Sequence, residues 1–178
     1  MRKILGAFLL LMATNAGAAE GILNPAIEVG HGDSTDMMRV AFSLDWEKRW
    51  FDSGNWMVAG FWEASLGEWK GKSSAGNNQS IVDVGLTPVF RFQQRTLSGL
   101  APYAEAAIGF HLISPTFINA NRKFGSAFQF GDHVGFGIRL GERYQYDLGY
   151  RYQHFSNGSI KQLNQGINFN QIRFTYHF

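Results

Sequence analysis

The C-terminal segment of the chain alternates between apolar and polar side chains. The apolar set is Ile172, Phe174, Tyr176 and Phe178, and the polar set is Gln171, Arg173, Thr175 and His177. Successive side chains of a β-strand point to opposite faces, so each set covers one face of a strand. A strand of this kind must separate an apolar environment from a polar one.

The same alternation recurs in segment 125–140. Its apolar set is Phe128, Phe130, Val134, Phe136, Ile138 and Leu140, and its small or polar set is Gln129, Gly131, His133, Gly135, Gly137 and Arg139. Only Asp132 interrupts the apolar set. Turn-forming residues between alternating segments predict eight strands. They are expected at 25–32, 38–51, 56–69, 80–92, 101–113, 125–140, 144–156 and 167–178.

This pattern predicts an all-β fold, an eight-stranded antiparallel transmembrane β-barrel. No apolar run of about 18 residues follows the N-terminal segment, which excludes a helical membrane protein. The chain is rich in Phe and Gly, with 16 and 21 of them, and has only 4 Pro. In a membrane barrel the apolar set faces lipid and the polar set faces the lumen. A soluble lipid-binding barrel would reverse these faces.

The N-terminus reads as a secretory signal. Arg2 and Lys3 precede an apolar stretch at 4–13, and Ala16-Gly17-Ala18 fits a cleavage site. We therefore expect a signal peptide at 1–18 and an outer-membrane barrel at 19–178. Without Arg2 and Lys3, the 16 Lys and Arg residues fall to 14, equal to the 14 Asp and Glu residues. Charge thus gives no support for a nucleic-acid partner.

Cysteine is absent from the chain. The fold of an exported protein without cysteine needs no disulfide, and its chemistry has no thiolate nucleophile.

The loops at 68–80, 113–123 and 157–166 are mostly longer and more polar than those between the other predicted strands. Outer-membrane barrels have short periplasmic turns and longer extracellular loops. The loop after the seventh strand is therefore expected on the extracellular side.

A candidate site lies at the end of the seventh strand. His154 and Ser156 share the positions of the apolar Tyr150 and Tyr152, so they should point outward unless a bulge intervenes. Asn168 lies on the same strand face as the apolar Ile172 and Phe174 of the eighth strand, so it should also point outward. Polar groups on a lipid-facing wall are costly, and a lipid substrate in the outer leaflet would explain them.

Histidine and serine two positions apart can form a base and a nucleophile. The Cα atoms of such residues are about 6–7 Å apart on one strand face, and side-chain rotamers can close that gap. Imidazole activates a serine hydroxyl by taking its proton, and a third group must fix the imidazole tautomer. The alternative is that Ser-Asn-Gly is an ordinary turn at a strand end.

The segment QHFSNGSIKQLNQGINF resembles the active-site region of lipid A 3-O-deacylases, and FQFGDHVGFGIRLG has a weaker likeness to that family. The resemblance implies Ser156 as nucleophile and His154 as general base. It also implies that the backbone N–H groups of Asn157 and Gly158 and the side chain of Asn164 donate to the oxyanion or the substrate. The position of the family's acidic residue holds Asn168, with Asp132 as a weaker substitute.

The implied substrate is lipid A, part of lipopolysaccharide, in the bacterial outer membrane. Phe128 and Phe130 are candidates for an acyl-chain groove, although membrane-facing packing also explains them. The chemistry requires no cofactor, and no closely spaced cluster of His, Asp and Glu indicates a metal site. Candidate contacts to lipid phosphates are Arg122, Lys123 and Lys161, which loop solubility explains equally well.

Two further partners are expected. The terminal FTYHF resembles the C-terminal signature of outer-membrane barrels, which implies that the barrel assembly machinery reads Phe178. The second is another copy of the chain, because aromatic side chains on the lipid-facing wall can support a homodimer. The rival functions are a non-catalytic adhesin or structural barrel and another outer-membrane lipid enzyme, a phospholipase or an acyltransferase.

Overall fold

The computed structural model describes residues 22–74 and 76–178. The signal peptide expected at 1–18 lies outside these residues. Among the described residues, no helix is long and apolar enough to cross a membrane. The strands are β1 (Asn24–Gly32), β2 (Thr35–Asp45), β3 (Trp56–Gly71), β4 (Ser80–Gln94), β5 (Pro102–Ser114), β6 (Phe117–Asn119), β7 (Arg122–Lys123), β8 (Phe128–Leu140), β9 (Tyr146–Ser156) and β10 (Ile167–Tyr176).

Eight of these strands close an antiparallel barrel in the order β1-β10-β9-β8-β5-β4-β3-β2, within the described residues. The predicted fold class is therefore confirmed. The short strands β6 and β7 form a separate hairpin between β5 and β8, which the sequence did not predict. Closure gives every barrel strand two neighbours, so the barrel leaves no open sheet edge.

The second strand differs most from its prediction. It ends at Asp45, whereas the sequence predicted residue 51, and the other predicted bounds lie within three residues of the observed ones. Trp46 folds over Gly60, where a Cβ would lie 2.1 Å from the indole ring. Trp46 and Trp50 then pack against Phe90, with ring centroids 5.1 and 5.8 Å away. Aromatic side chains of this kind are typical of the interfacial girdle of membrane barrels.

Side chains alternate around the barrel wall as the sequence indicates. In β10, Gln171 and Arg173 are buried in the lumen, whereas Ile172 and Phe174 are exposed on the outer wall. Polar side chains inside and apolar side chains outside are the arrangement of a membrane barrel and the reverse of a soluble one.

The middle of the lumen is filled by a network of buried ion pairs. Arg151 donates to Glu105 at 2.6 Å, to Glu28 at 2.8 Å and to Glu63 at 2.9 Å. Charged side chains buried away from water are stable only when they are paired and hydrogen-bonded. Other members of the network are Arg39, Asp83, Arg91, Asp147 and Arg173.

One end of the barrel carries loops 72–79, 115–127 and 157–166, and we call it the long-loop end. Here the lumen is apolar rather than polar, because an inner aromatic layer lies above the ion pairs. Trp69 is its centre, with ring centroids 4.6 Å from Phe155, 5.3 Å from Phe169 and 6.0 Å from Phe124. All four side chains are fully buried. This layer supports the backbone on which the candidate site is built.

Candidate active site

The structure places His154 and Ser156 on the outer wall of β9. Gln153 and Phe155 are buried in the lumen, and the half-buried His154 and Ser156 alternate with them. Strand β9 pairs residue for residue with β8 and β10 up to Ser156 and Phe155, so no bulge changes the direction of its side chains. Both side chains therefore point outward, as the sequence predicted.

His154 has a polar neighbour on each adjoining strand. Asn168 of β10 and Asp132 of β8 lie directly opposite it in the strand register. The Nδ1 atom of His154 is 2.7 Å from Oδ1 of Asn168. Because an amide oxygen only accepts hydrogen bonds, this contact requires a proton on Nδ1. The other ring nitrogen, Nε2, is then unprotonated in the neutral ring and can accept a proton.

Gly166 gives the imidazole ring its space. A Cβ at this position would lie 2.9 Å from Cε1 of His154, and its φ of +60° is in the left-handed region that favours glycine. The loop that ends at Gly166 therefore lies against the ring of His154. Together Gly166 and Asn168 limit the positions that the imidazole can occupy.

Ser156 lies at the last position of β9, opposite Phe130 of β8. Its hydroxyl has no hydrogen-bond partner among the described residues, so it is not held by any structural contact there. The histidine–serine hydrogen bond is not formed in this structure. Such bonds are commonly long before substrate binds and shorten in the reacting complex.

The loop after Ser156 is organised by Asn157, whose side chain is fully buried. Its Nδ2 atom donates to the carbonyl oxygens of Phe124 at 2.8 Å and of Lys161 at 2.9 Å. Its backbone N–H donates to Oδ1 of Asn164 at 2.8 Å. That N–H was a predicted oxyanion donor, and in this structure it is already used. Candidate donors that remain are the N–H of Gly158 and the Nδ2 of Asn164.

An aromatic patch adjoins Ser156 on the outer wall. Phe128 and Phe130 have ring centroids 5.0 Å apart, and Phe110 lies 6.4 and 6.3 Å from them. Gly158 touches the same patch, since a Cβ there would lie 3.0 Å from the Phe130 ring. The structure thus brings the predicted Phe128 and Phe130 together and adds Phe110.

The three predicted cations lie in loops at the long-loop end, but their surroundings differ. Lys123 and Lys161 are exposed. Arg122 is partly buried and donates to the carbonyl oxygen of Gly166. It also lies 3.5 Å from a carboxylate oxygen of Asp33. Within the described residues, no group of three or more His, Cys, Asp or Glu side chains is placed to hold a metal ion.

A closed barrel with an apolar outer wall, and a histidine, serine and asparagine gathered on that wall, define the class of outer-membrane barrel enzymes. Residues 36–177 match the model of the family described as lipid A 3-O-deacylase (PagL). This match spans more than half of the chain, so the chain belongs to the lipid A 3-O-deacylase family. It is accordingly an enzyme of the bacterial outer membrane.

Individual relatives agree with this assignment. Lipid A deacylase PagL of Bordetella bronchiseptica is 32% identical over 162 residues, which cover 85% of this chain and 83% of that protein. The same-named protein of Pseudomonas aeruginosa is 28% identical over 169 residues, 94% of each chain. The crystal structure of the outer membrane enzyme PagL matches with a TM-score of 0.77 and 26% identity, covering 87% of this chain and 99% of that one.

A more distant structure shares the fold alone. Neisserial surface protein A matches with a TM-score of 0.51 and 13% identity, covering 88% of this chain and 94% of that one. The predicted family, fold class and outer-membrane location are thus confirmed.

Two contacts of the site were missed from the sequence. Asp33 accepts a hydrogen bond from the backbone N–H of Asn168 at 3.0 Å, across 135 positions of sequence. Arg122 was expected only as a phosphate contact, yet it bonds the loop of the site. No local pattern points to either contact. In contrast, the burial of Phe155 and Phe169 was readable, since they share the inward positions of Gln153 and Gln171.

Proposed function

We propose that the chain hydrolyses the ester bond of the 3-hydroxyacyl chain at position 3 of lipid A, with Ser156 as nucleophile and His154 as general base. The observation that carries this proposal is the outward pair on the lipid-facing wall, with Nδ1 of His154 bound to Asn168 at 2.7 Å. A substrate in the membrane can reach such a pair from the side, without entering the filled lumen.

The reaction begins from the tautomer of His154 that carries its proton on Nδ1 and leaves Nε2 free to accept one. Nε2 of His154 takes the proton of Ser156 as its oxygen attacks the ester carbonyl. His154 then returns that proton to the departing sugar hydroxyl, which leaves an acyl-enzyme on Ser156. A water molecule, activated by the same imidazole, releases the 3-hydroxy fatty acid and regenerates the serine.

The negative charge on the carbonyl oxygen needs donors close to Ser156. The N–H of Gly158 and the Nδ2 of Asn164 are the candidates, because Oδ1 of Asn164 is fixed by Asn157. A donor that is oriented before the reaction stabilises the oxyanion without reorganisation. In this proposal Asn157 acts by orienting Asn164, rather than by contacting the oxyanion itself.

Asn168 orients the imidazole but cannot neutralise it. An amide oxygen accepts from Nδ1 and selects the reactive tautomer, and Cys-His-Asn proteases use asparagine in this way. Unlike a carboxylate, it adds no negative charge when the imidazole becomes positive. Asp132, opposite His154 on β8, is the charged neighbour that can supply part of this stabilisation.

The neighbouring surfaces suit the two parts of lipid A. The patch of Phe110, Phe128 and Phe130 offers an apolar surface for the acyl chain next to Ser156. Lys123 and Lys161 can bind phosphate groups at the membrane surface. This arrangement requires the long-loop end to face outward, with the substrate in the outer leaflet.

We also propose that residues 1–18 are removed on export and that Phe178 is read by the assembly machinery.

Lipid A from cells with and without the protein tests the reaction. Mass spectrometry should show the loss of one 3-hydroxyacyl group, and Ser156→Ala and His154→Asn should abolish this loss while the barrel still inserts. A gain of acyl mass would indicate an acyltransferase, and release of lysophospholipid alone a phospholipase. Unchanged lipid A with correctly inserted wild-type protein would favour a non-catalytic barrel and reject the proposal.

A further inference from the structure

The backbone of Asn168 is not held by the strand ladder on its β1 side. Pairing between β1 and β10 ends at His31 and Asn170. Beyond this pair the chain turns at Asp33 and Ser34, both with left-handed φ values of 49° and 56°. The carboxylate of Asp33 then accepts the N–H of Asn168 at 3.0 Å, in place of a strand carbonyl.

The carbonyl group of Asn168 also meets the β1–β2 turn closely. A Cβ on Gly32 would lie 1.8 Å from the carbonyl oxygen of Asn168, so only glycine permits this approach. The turn therefore contacts both the donor and the acceptor of this peptide segment. Its position fixes the point from which the Asn168 side chain reaches His154.

Arg122 of β7 joins the same arrangement from a third segment. It lies 3.5 Å from the carboxylate of Asp33 and donates to the carbonyl oxygen of Gly166. Gly166 lies against the imidazole of His154, and Asn168 bonds it. Asp33 thus holds Asn168, and Arg122 holds Gly166.

We infer that Asp33 and Arg122 are positioning residues for catalysis, which act by fixing Asn168 and Gly166 around the imidazole of His154. This inference rests on the proposed roles of His154, Ser156 and Asn168. An asparagine third member contributes only orientation, so its effect depends on how rigidly it is held. Neither Asp33 nor Arg122 needs to touch the substrate for this role.

A double-mutant cycle tests the route of action. Steady-state hydrolysis of purified lipopolysaccharide by the full-length chain in detergent is measured for Asp33→Ala, Asn168→Ala and the double variant. We expect Asp33→Ala to lower kcat about fourfold with KM unchanged, a loss no larger than that expected for Asn168→Ala. In the Asn168→Ala background, Asp33→Ala should lower kcat less than twofold, because the residue through which it acts is gone.

Asp36→Ala is the matched control. Asp36 lies in the same β1–β2 hairpin and forms an ion pair with Lys72, but it does not contact Asn168. We expect it to keep wild-type kcat. Arg122→Gln should lower kcat as Asp33→Ala does, and Arg122→Lys should recover part of the loss by keeping the charge.

Each other outcome has a definite meaning. Wild-type kcat for Asp33→Ala, or the same fourfold loss in both backgrounds, would overturn the inference while leaving the proposed function intact. Full activity of Ser156→Ala would instead reject the proposed function. If Asp33→Ala does not form the heat-modifiable folded band on a gel, the cycle is repeated with Asp33→Gly, which suits the left-handed φ of this position, and the same criteria apply.

Discussion

Asn168 is the residue at which this chain departs from the expected acidic third member. Its amide oxygen lies 2.7 Å from Nδ1 of His154, so it does orient the ring. The structure also places carboxylates on two sides of this contact. Asp132 lies across from His154, and Asp33 binds the backbone of Asn168. In our proposal, orientation and charge, which one carboxylate usually provides together, are divided among several residues.

Substitution of Asn168 measures the contribution of orientation. Asn168→Ala should lower kcat several-fold, on the order of 1 kcal/mol of transition-state stabilisation, because the imidazole loses its tautomer-selecting partner. Asn168→Glu should keep or raise kcat, since a carboxylate accepts from Nδ1 and also stabilises the imidazolium. Hydrolysis of purified lipopolysaccharide provides the measurement. Full activity of Asn168→Ala would assign the orienting role to another residue, with Asp132 as the first to examine.

The outward positions of the candidate site residues were predictable from the sequence, whereas the contacts that support these residues were not. Strand alternation places His154, Ser156 and Asn168 on the outer wall from the sequence alone. The hydrogen-bonding state of Asn157 was not predictable, because its partner Phe124 lies in a different loop, which meets the loop of Lys161 and Asn164 only in the folded chain. A local pattern cannot specify which of several polar groups an N–H will meet.

At the scale of elements, the loop between β9 and β10 depends on the loop between β5 and β8. The side chain of Asn157 in the first loop donates to the carbonyl oxygen of Phe124 in the second. Lys123 and Gln165 also form two hydrogen bonds between the loops. The β6–β7 hairpin thus supports the loop that shapes the site. The sequence predicted this region only as a long polar loop, because strands of two and three residues have too few positions to show alternation.

Asn157→Ala should weaken this support without preventing barrel closure. The carbonyl oxygens of Phe124 and Lys161 lose their donor, and the buried contact to Phe124 accounts for most of a cost of about 1–3 kcal/mol in local stability. We expect faster proteolysis within 157–166 and a lower kcat, both measured on the folded barrel. Asn121→Ala changes an exposed residue of the β6–β7 turn and serves as the control. Equal proteolysis rates for Asn157→Ala and the wild type would contradict this role.

At the scale of the whole molecule, the lumen is a packed core that holds the wall in shape. Arg151 alone bonds three carboxylates, on β1, β3 and β5. Each of these residues occupies a polar position between apolar ones, so strand alternation agrees with their inward direction. It could not predict which charges pair, since the partners lie on strands far apart in sequence.

Arg151→Met tests the contribution of this network to stability. Glu28, Glu63 and Glu105 would remain buried with fewer cationic partners, and removal of one member of a buried ion pair costs about 3–5 kcal/mol. The free energy of unfolding in urea, measured with the barrel in lipid vesicles, should fall by this amount. Arg143→Met, in the exposed turn between β8 and β9, should leave it unchanged. Equal values for Arg151→Met and the wild type would show that the network contributes no net stability.

The central claim is that Ser156, activated by His154, is the nucleophile on the lipid-facing wall. Its most direct test is covalent labelling with a long-chain alkyl fluorophosphonate, followed by mass spectrometry of the peptides. Our account predicts one adduct, on Ser156, that forms at the wild-type rate in Asp36→Ala and is lost in His154→Asn. Labelling of a different serine, or a Ser156 adduct that forms equally fast without His154, would contradict it.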